Sequence, residues 1–261
     1  DGFDDVIIGA FGAEPDGKDM QGATYVVFGK GSGWAPNLEL SSLNGANGFR
    51  FDGVNANDFS GRSVSNAGDI NGDGVDDIII GAPTNPDPMS VGAAESYVVF
   101  GKTSGWTANL DLSVLDGTNG FRFDGGGTSV SSAGDVNGDG YGDVIIGDGS
   151  SSYVLFGQGS GWSASMDSST LNGTTGFRIN GGGHVVSSAG DVNGDGLDDL
   201  IVALRARDAG GLVVFPLWPG KGQPAKRIIV QARRDVRTPL RLSPGLLLHK
   251  DDGGYTEAAL D

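Results

Sequence analysis

The chain contains no cysteine and only two histidines, His184 and His249. Disulfides therefore play no part in holding it together, which is compatible with a bacterial surface or secreted protein. No apolar run approaches the roughly 20 residues that a membrane-spanning helix needs, so membrane insertion is not expected. Basic side chains are scarce over most of the length. Residues 1–202 hold 7 Lys and Arg against 27 Asp and Glu, a balance of −20, which excludes nucleic acid as a natural partner. The motifs of catalysis are missing as well: there is no nucleophile elbow, no zinc-protease helix and no phosphate-binding loop. His184 opens a strand where the preceding repeat has Thr128, and a lone histidine there reads as structural. No signal peptide is visible. The chain opens inside a loop that recurs further on, so it is expected to be part of a longer chain.

What is abundant is glycine, 48 of 261 residues, placed at turns rather than in a collagen period. Much of the acid sits in one recurring stretch. It reads Asp69-Ile70-Asn71-Gly72-Asp73-Gly74-Val75-Asp76-Asp77, then Asp135-Val136-Asn137-Gly138-Asp139-Gly140-Tyr141-Gly142-Asp143, then Asp191-Val192-Asn193-Gly194-Asp195-Gly196-Leu197-Asp198-Asp199. Asp1-Gly2-Phe3-Asp4-Asp5 matches the second half of a further copy.

This spacing has the chemistry of a calcium loop. Calcium takes six to eight hard oxygen ligands in a flexible shell. Positions 1, 3, 5 and 9 supply a carboxylate or carboxamide: Asp69, Asn71, Asp73 and Asp77; Asp135, Asn137, Asp139 and Asp143; Asp191, Asn193, Asp195 and Asp199. Position 7 offers a backbone carbonyl, from Val75, Tyr141 or Leu197, and the glycine at position 6 allows the sharp turn. An EF-hand needs an acid at position 12 and flanking helices, but Ile80, Ile146 and Val202 stand there. The runs Ile78-Ile79-Ile80-Gly81, Val144-Ile145-Ile146-Gly147 and Leu200-Ile201-Val202 read as buried strands, so each loop is expected to join two strands.

Position 5 of the loop recurs at Asp1, Asp73, Asp139 and Asp195, spacings of 72, 66 and 56 residues. Each unit continues through a strand, a variable polar loop and a second strand ending in Phe-Gly: Phe28-Gly29, Phe100-Gly101, Phe156-Gly157. Six residues after each Phe stands a tryptophan, Trp34, Trp106 or Trp162, read as packing between units, with sugar binding as the alternative. A Leu-rich piece with a single helical turn follows, then a strand such as Gly120-Phe121-Arg122-Phe123, then the small residues Ser131-Ser132-Ala133-Gly134 before the next loop. Four short strands repeated at this period predict an all-β fold of β-propeller-type blades, each of four antiparallel strands, with the small residues on an inner strand near a crowded axis. Two complete blades and a part on each side make a partial propeller, whose open strand edges carry an aggregation risk.

With Gly81-Ala82-Pro83 and Phe100-Gly101 in fixed order around the acidic loop, residues 1–202 resemble the FG-GAP repeats of the integrin α-subunit propeller and of bacterial surface proteins. The long Phe-Gly-Lys-x-Ser-Gly-Trp spacers are most similar to the bacterial branch. The resemblance implies calcium between the first and second strand of a blade and a non-catalytic role in adhesion or ligand binding outside the cell. Its partner would be an extracellular protein or carbohydrate, met through the variable loops at 11–22 and 83–94. Two alternatives stand beside this reading: a scaffold propeller attached to a secreted hydrolase or lipase, and a carbohydrate-binding propeller with exposed tryptophans.

The pattern has departures. Gly147-Asp148 replaces Gly-Ala-Pro in one unit, and Gly9-Ala10-Phe11 lacks the proline in another. After Val202 it fails altogether, and residues 203–261 carry 10 basic against 6 acidic side chains. Two readings of 203–261 follow: a frameshifted or foreign tail, or a divergent last blade with strands at Leu212-Val213-Val214-Phe215 and Arg227-Ile228-Ile229-Val230-Gln231.

Overall fold

The computed structural model describes residues 2–83 and 94–191 in full and, beyond them, the backbone at 199–203, 209–218, 227–234, 241–242 and 246–247. The structure is all-β and propeller-like, as the repeats predict. The first unit supplies β1 (Val6–Ala10), β2 (Ala23–Val27) and β3 (Gly48–Asp52). The second supplies β4 (Ser63–Gly68), β5 (Asp77–Ala82), β6 (Glu95–Val99), a three-residue strand β7 (Asn109–Asp111) and β8 (Gly120–Asp124). The third repeats that order as β9 (Ser129–Gly134), β10 (Asp143–Gly147), β11 (Ser151–Leu155), β12 (Ser165–Asp167) and β13 (Gly176–Asn180). A fourth begins with β14 (Val185–Gly190) and β15 (Asp199–Ala203). Beyond it β16 (Ala209–Trp218) pairs antiparallel with β17 (Arg227–Arg234), and β18 (Arg241–Leu242) and β19 (Leu246–Leu247) add parallel to β16.

Within a unit the strands lie in chain order, β4-β5-β6-β8 and β9-β10-β11-β13, all antiparallel. The acidic loop joins the first strand to the second each time, with the same register at its mouth: Gly68 opposite Asp77, Gly134 opposite Asp143, Gly190 opposite Asp199.

The short strands β7 and β12 do something that period-2 reading did not foresee. Each leaves its own unit and pairs in parallel with the outer strand of the unit before, β7 with β3 and β12 with β8. The single helical turn that follows is a 3-10 turn, Leu112–Val114 or Ser168–Thr170. Asp111 and Asp167 cap these turns, each accepting the N–H of the residue two further on at 2.7 Å.

The core lies between neighbouring sheets. β5 is buried along its whole length, and its side chains alternate. Ile78 and Ile80 join Val26, Phe49 and Phe51 of the first unit, while Ile79 joins Val144, Ile146 and Leu155 of the third. Each such fully buried side chain contributes about 1.5–3 kcal/mol. Among the described residues, a sheet buries both faces only where it has a neighbour on each side. The inner strand β9 touches both β4 and β14, and serines knit the three: Ser63 Oγ accepts the Val130 N–H at 3.0 Å, and Ser129 Oγ accepts the Val186 N–H at 3.1 Å. A larger residue at either serine would force adjacent blades apart.

Candidate metal centres

The loop between β4 and β5 is built by its own side chains. Asp69 Oδ1 and Asn71 Oδ1 converge on one backbone donor, the Asp73 N–H, at 2.9 and 2.8 Å. The other Asp69 oxygen accepts the Gly74 N–H at 2.9 Å, and Asp73 Oδ1 accepts that of Val75 at 2.9 Å. Gly72 and Gly74 sit at φ 73° and 86°, in the left-handed region the turn requires. The loop between β9 and β10 repeats this network. Asp135 accepts from Gly138, Asp139 and Gly140, Asn137 from Asp139, and Asp139 from Tyr141, at 2.7–3.1 Å.

Position 9 differs from the others. Asp77 is 1% exposed and Asp143 0%. Asp77 Oδ2 accepts the Ile70 N–H at 2.9 Å and Oδ1 accepts that of Gly101 at 2.7 Å. Asp143 does the same with Val136 at 2.8 Å and Gly157 at 2.9 Å. Burial pushes the Asp77 carboxyl up to about 7 and the Asp143 carboxyl up to about 6; their backbone donors pull the other way.

The partner glycine is that of the Phe-Gly pair. A Cβ on Gly101 would overlap the Asp76 carbonyl, and one on Gly157 the Gly142 carbonyl. In the first unit Asp5 Oδ1 accepts the Gly29 N–H at 2.8 Å in the same way. Sequence reading treated position 9 only as an ion ligand and missed this clamp. Its signal was present: an aspartate and a Phe-Gly glycine recur together in all three units.

Of the positions read as ligands, the structure brings Asp69, Asn71 and Asp73 together, and likewise Asp135, Asn137 and Asp139. Asn193, Asp195, Leu197 and the side chain of Asp199 lie outside the described residues, while Asp191 stands exposed at the end of β14. Among the described residues no three acidic or histidine side chains close on a common point as a finished metal site. The donor set nevertheless fits a hard cation. It is all oxygen, it converges, and no Lys or Arg pairs with a loop aspartate among the described residues. Asp77 and Asp143 are buried carboxylates with no cationic partner among the described residues, a condition a bound cation would relieve.

The two loops also touch. The Gly142 N–H donates to the Asp69 carbonyl at 2.9 Å, and the Tyr141 ring lies where a Cβ on Gly72 would be.

Comparison with known proteins bears on what these units are. Residues 60–99 match the FG-GAP repeat, and residues 135–202 match the FG-GAP-like repeat. Two segments of this chain thus carry the FG-GAP pattern. Integrin alpha-PS2 of Drosophila melanogaster is 33% identical over 127 residues, 45% of this chain and 9% of that protein. Integrin alpha pat-2 of Caenorhabditis elegans is 29% identical over 245 residues, 85% of this chain and 18% of that protein. Phosphatidylinositol-glycan-specific phospholipase D of Bos taurus is 31% identical over 150 residues, 56% of this chain and 17% of that protein. The chain spans less than a fifth of the length of these relatives. The FG-GAP matches explain why the loop, the clamp glycine and the strand order recur as one block.

Proposed function

We propose that the FG-GAP units of residues 1–202 form a calcium-binding, non-catalytic module that meets an extracellular protein or carbohydrate ligand at the cell surface. The observation that carries this reading is the shared loop network. Two loops 66 residues apart hold Asp, Asn and Asp oxygens in the same convergent arrangement, each closed by a buried aspartate. Asp69, Asn71, Asp73, Asp77 and the Val75 carbonyl would hold one ion, and the equivalent residues of 135–143 and 191–199 two more. The integrin relatives support an adhesion-type role and an extracellular location, and the Phe-Gly-Lys-x-Ser-Gly-Trp spacers favour the bacterial surface branch.

The recognition surface lies at the opposite end of the blades from the acidic loops. Loop 11–22 is braced there by the insertion at 54–59: the Asn57 N–H donates to the Asp19 carbonyl at 2.7 Å and the Phe59 N–H to that of Met20 at 3.0 Å. Met20, Asn57 and Phe59 take φ of 49°, 63° and 53°, strain of the kind that accumulates at functional loops. The other expected recognition loop, 83–94, lies almost wholly outside the described residues. Residues 203–261 stand outside the FG-GAP block, as a divergent blade or an aberrant tail.

A scaffold role beside a secreted hydrolase is the second reading, favoured by the similarity to the phospholipase. Among the described tryptophans the carbohydrate reading rests on Trp34, because Trp106 and Trp162 are packed against phenylalanines.

Thermal unfolding with millimolar calcium and then with chelator tests the proposal. A midpoint that rises with calcium, and does not rise with magnesium at equal ionic strength, supports filled loops. An unchanged midpoint rejects calcium binding.

A further inference from the structure

We propose that loops 69–77 and 135–143 take up calcium as a coupled pair, an ion in one tightening the other; this rests on the calcium-binding reading above. The basis is one peptide that serves both loops. The carbonyl of the Tyr141–Gly142 peptide is the proposed position-7 ligand of loop 135–143. Its N–H, on Gly142, donates to the carbonyl of Asp69, the position-1 residue of loop 69–77, at 2.9 Å. A peptide is planar, so its two ends cannot turn independently. An ion that orients the Tyr141 carbonyl therefore orients the donor that holds Asp69.

A second path joins the two buried aspartates. Asp77 Oδ2 accepts the Ile70 N–H at 2.9 Å, and the Ile70 carbonyl accepts the Gln158 N–H at 3.0 Å. The residue before Gln158 is Gly157, whose N–H donates to Asp143 Oδ1 at 2.9 Å. Along this path only backbone groups separate the position-9 side chains of the two loops. Side chains brace both paths. Ile70, at position 2 of its loop, is buried in one cluster with Val144, Ile146 and Leu155 of the third unit. The Tyr141 ring fills the space beside Gly72, and a Cβ on Gly159 would meet its hydroxyl at 2.8 Å.

An empty loop crowds three ligand carboxylates into nine residues, and ordering that segment around an ion costs conformational entropy. The first ion orders its own loop and, through the shared peptide, part of the second. The second ion then has less to order and binds more tightly. Through-space charge acts the other way, because a filled loop is less negative than an empty one. At about 0.15 M salt that effect is screened beyond about 8 Å, whereas the hydrogen bonds between the loops are direct.

NMR on the full chain tests this. The amides of Gly74 and Gly140, at position 6 of each loop, report the occupancy of that loop. In about 0.15 M salt both should titrate over one calcium range, with a Hill slope above 1. In Asp139→Ala, whose own loop is disabled, the Gly74 midpoint should rise about fivefold, the low end for coupled sites. Through-space charge predicts a fall instead, since the disabled empty loop is more negative than the filled one. Coupling is reciprocal, so Asp73→Ala should raise the Gly140 midpoint by a similar factor. Tyr141→Val keeps a position-7 carbonyl and removes the ring; in that background Asp139→Ala should move Gly74 by less. Gly74 and Gly140 titrating independently, each with a slope of 1 and with a Gly74 midpoint that Asp139→Ala leaves unchanged or lowers, overturn the coupling and leave calcium binding intact. Amides that both ignore calcium overturn the calcium reading and the coupling with it.

Discussion

The Asp77 carboxylate reaches across the blade to accept the Gly101 N–H at 2.7 Å while holding the Ile70 N–H at 2.9 Å. One side chain thus ties the acidic loop to the end of the Phe-Gly strand. Asp77→Ala should destabilise the chain by about 1–3 kcal/mol for each donor left unpaired. Denaturant titration should find that loss in chelator as well as in calcium. A loss seen only in calcium would reduce Asp77 to an ion ligand.

Asp139 is the opposite case. It is exposed and lies in the convergent part of its loop. If extracellular-type affinities of about 10⁻⁴–10⁻³ M apply, millimolar calcium contributes about 0.4–1.4 kcal/mol per loop. Asp139→Ala should forfeit that increment and leave the chelator-treated chain nearly unchanged. Calorimetric titration should register one site fewer.

Trp162 and Trp34 occupy equivalent places in the repeat with unequal surroundings. Trp162→Ala removes the stack on Phe121 between two blades and should cost about 3 kcal/mol, the low end for a packed tryptophan. Trp34→Ala, at an exposed site, should stay within about 0.5 kcal/mol. Urea midpoints of the two variants, measured in dilute solution, make the comparison.

Gly72 combines a φ of 73° with the Tyr141 ring of the next loop against its Cα. Gly72→Ala should therefore destabilise by about 1–3 kcal/mol through backbone strain and overpacking. Adding Tyr141→Ala should return the overpacking part and not the strain. A double-mutant cycle that came out additive would deny the contact between loops.

Asp58 is 3% exposed, and its carboxylate accepts the Asn55 N–H at 2.5 Å. Burial raises its pKa above the ordinary 3.8; the backbone donor and the Lys18 charge pull it down less strongly. The folded chain therefore holds this proton more tightly than the unfolded chain. Stability from this group falls as pH rises through the window above 3.8 and does not recover beyond it. Asp58→Asn should flatten that decline, and the wild-type minus variant difference in unfolding free energy between about pH 4 and about pH 6 measures it.

The repeats made the blade order, the strand-to-strand placement of the acidic loops and the burial of Ile78–Ile80 legible without coordinates. Each of those depends on local spacing, on period-2 alternation and on turn glycines, all of which lie within one unit. The convergence of Asp69, Asn71 and Asp73 was legible for the same reason, since three side chains within five residues are drawn together when glycines turn the chain.

What the tertiary structure decided lies between units. The sequence places Asn109-Leu110-Asp111 beside its own Leu-rich turn, yet β7 pairs with β3 of the unit before. Asp77 reads as a ligand, yet both its oxygens are drawn to backbone donors, one of them 24 residues away. Trp34, Trp106 and Trp162 are indistinguishable by motif, and their exposure depends only on whether a neighbouring sheet stands in front of them. Spacing along the chain cannot report that, because the partner of each contact belongs to a different repeat and is found only when the blades stack.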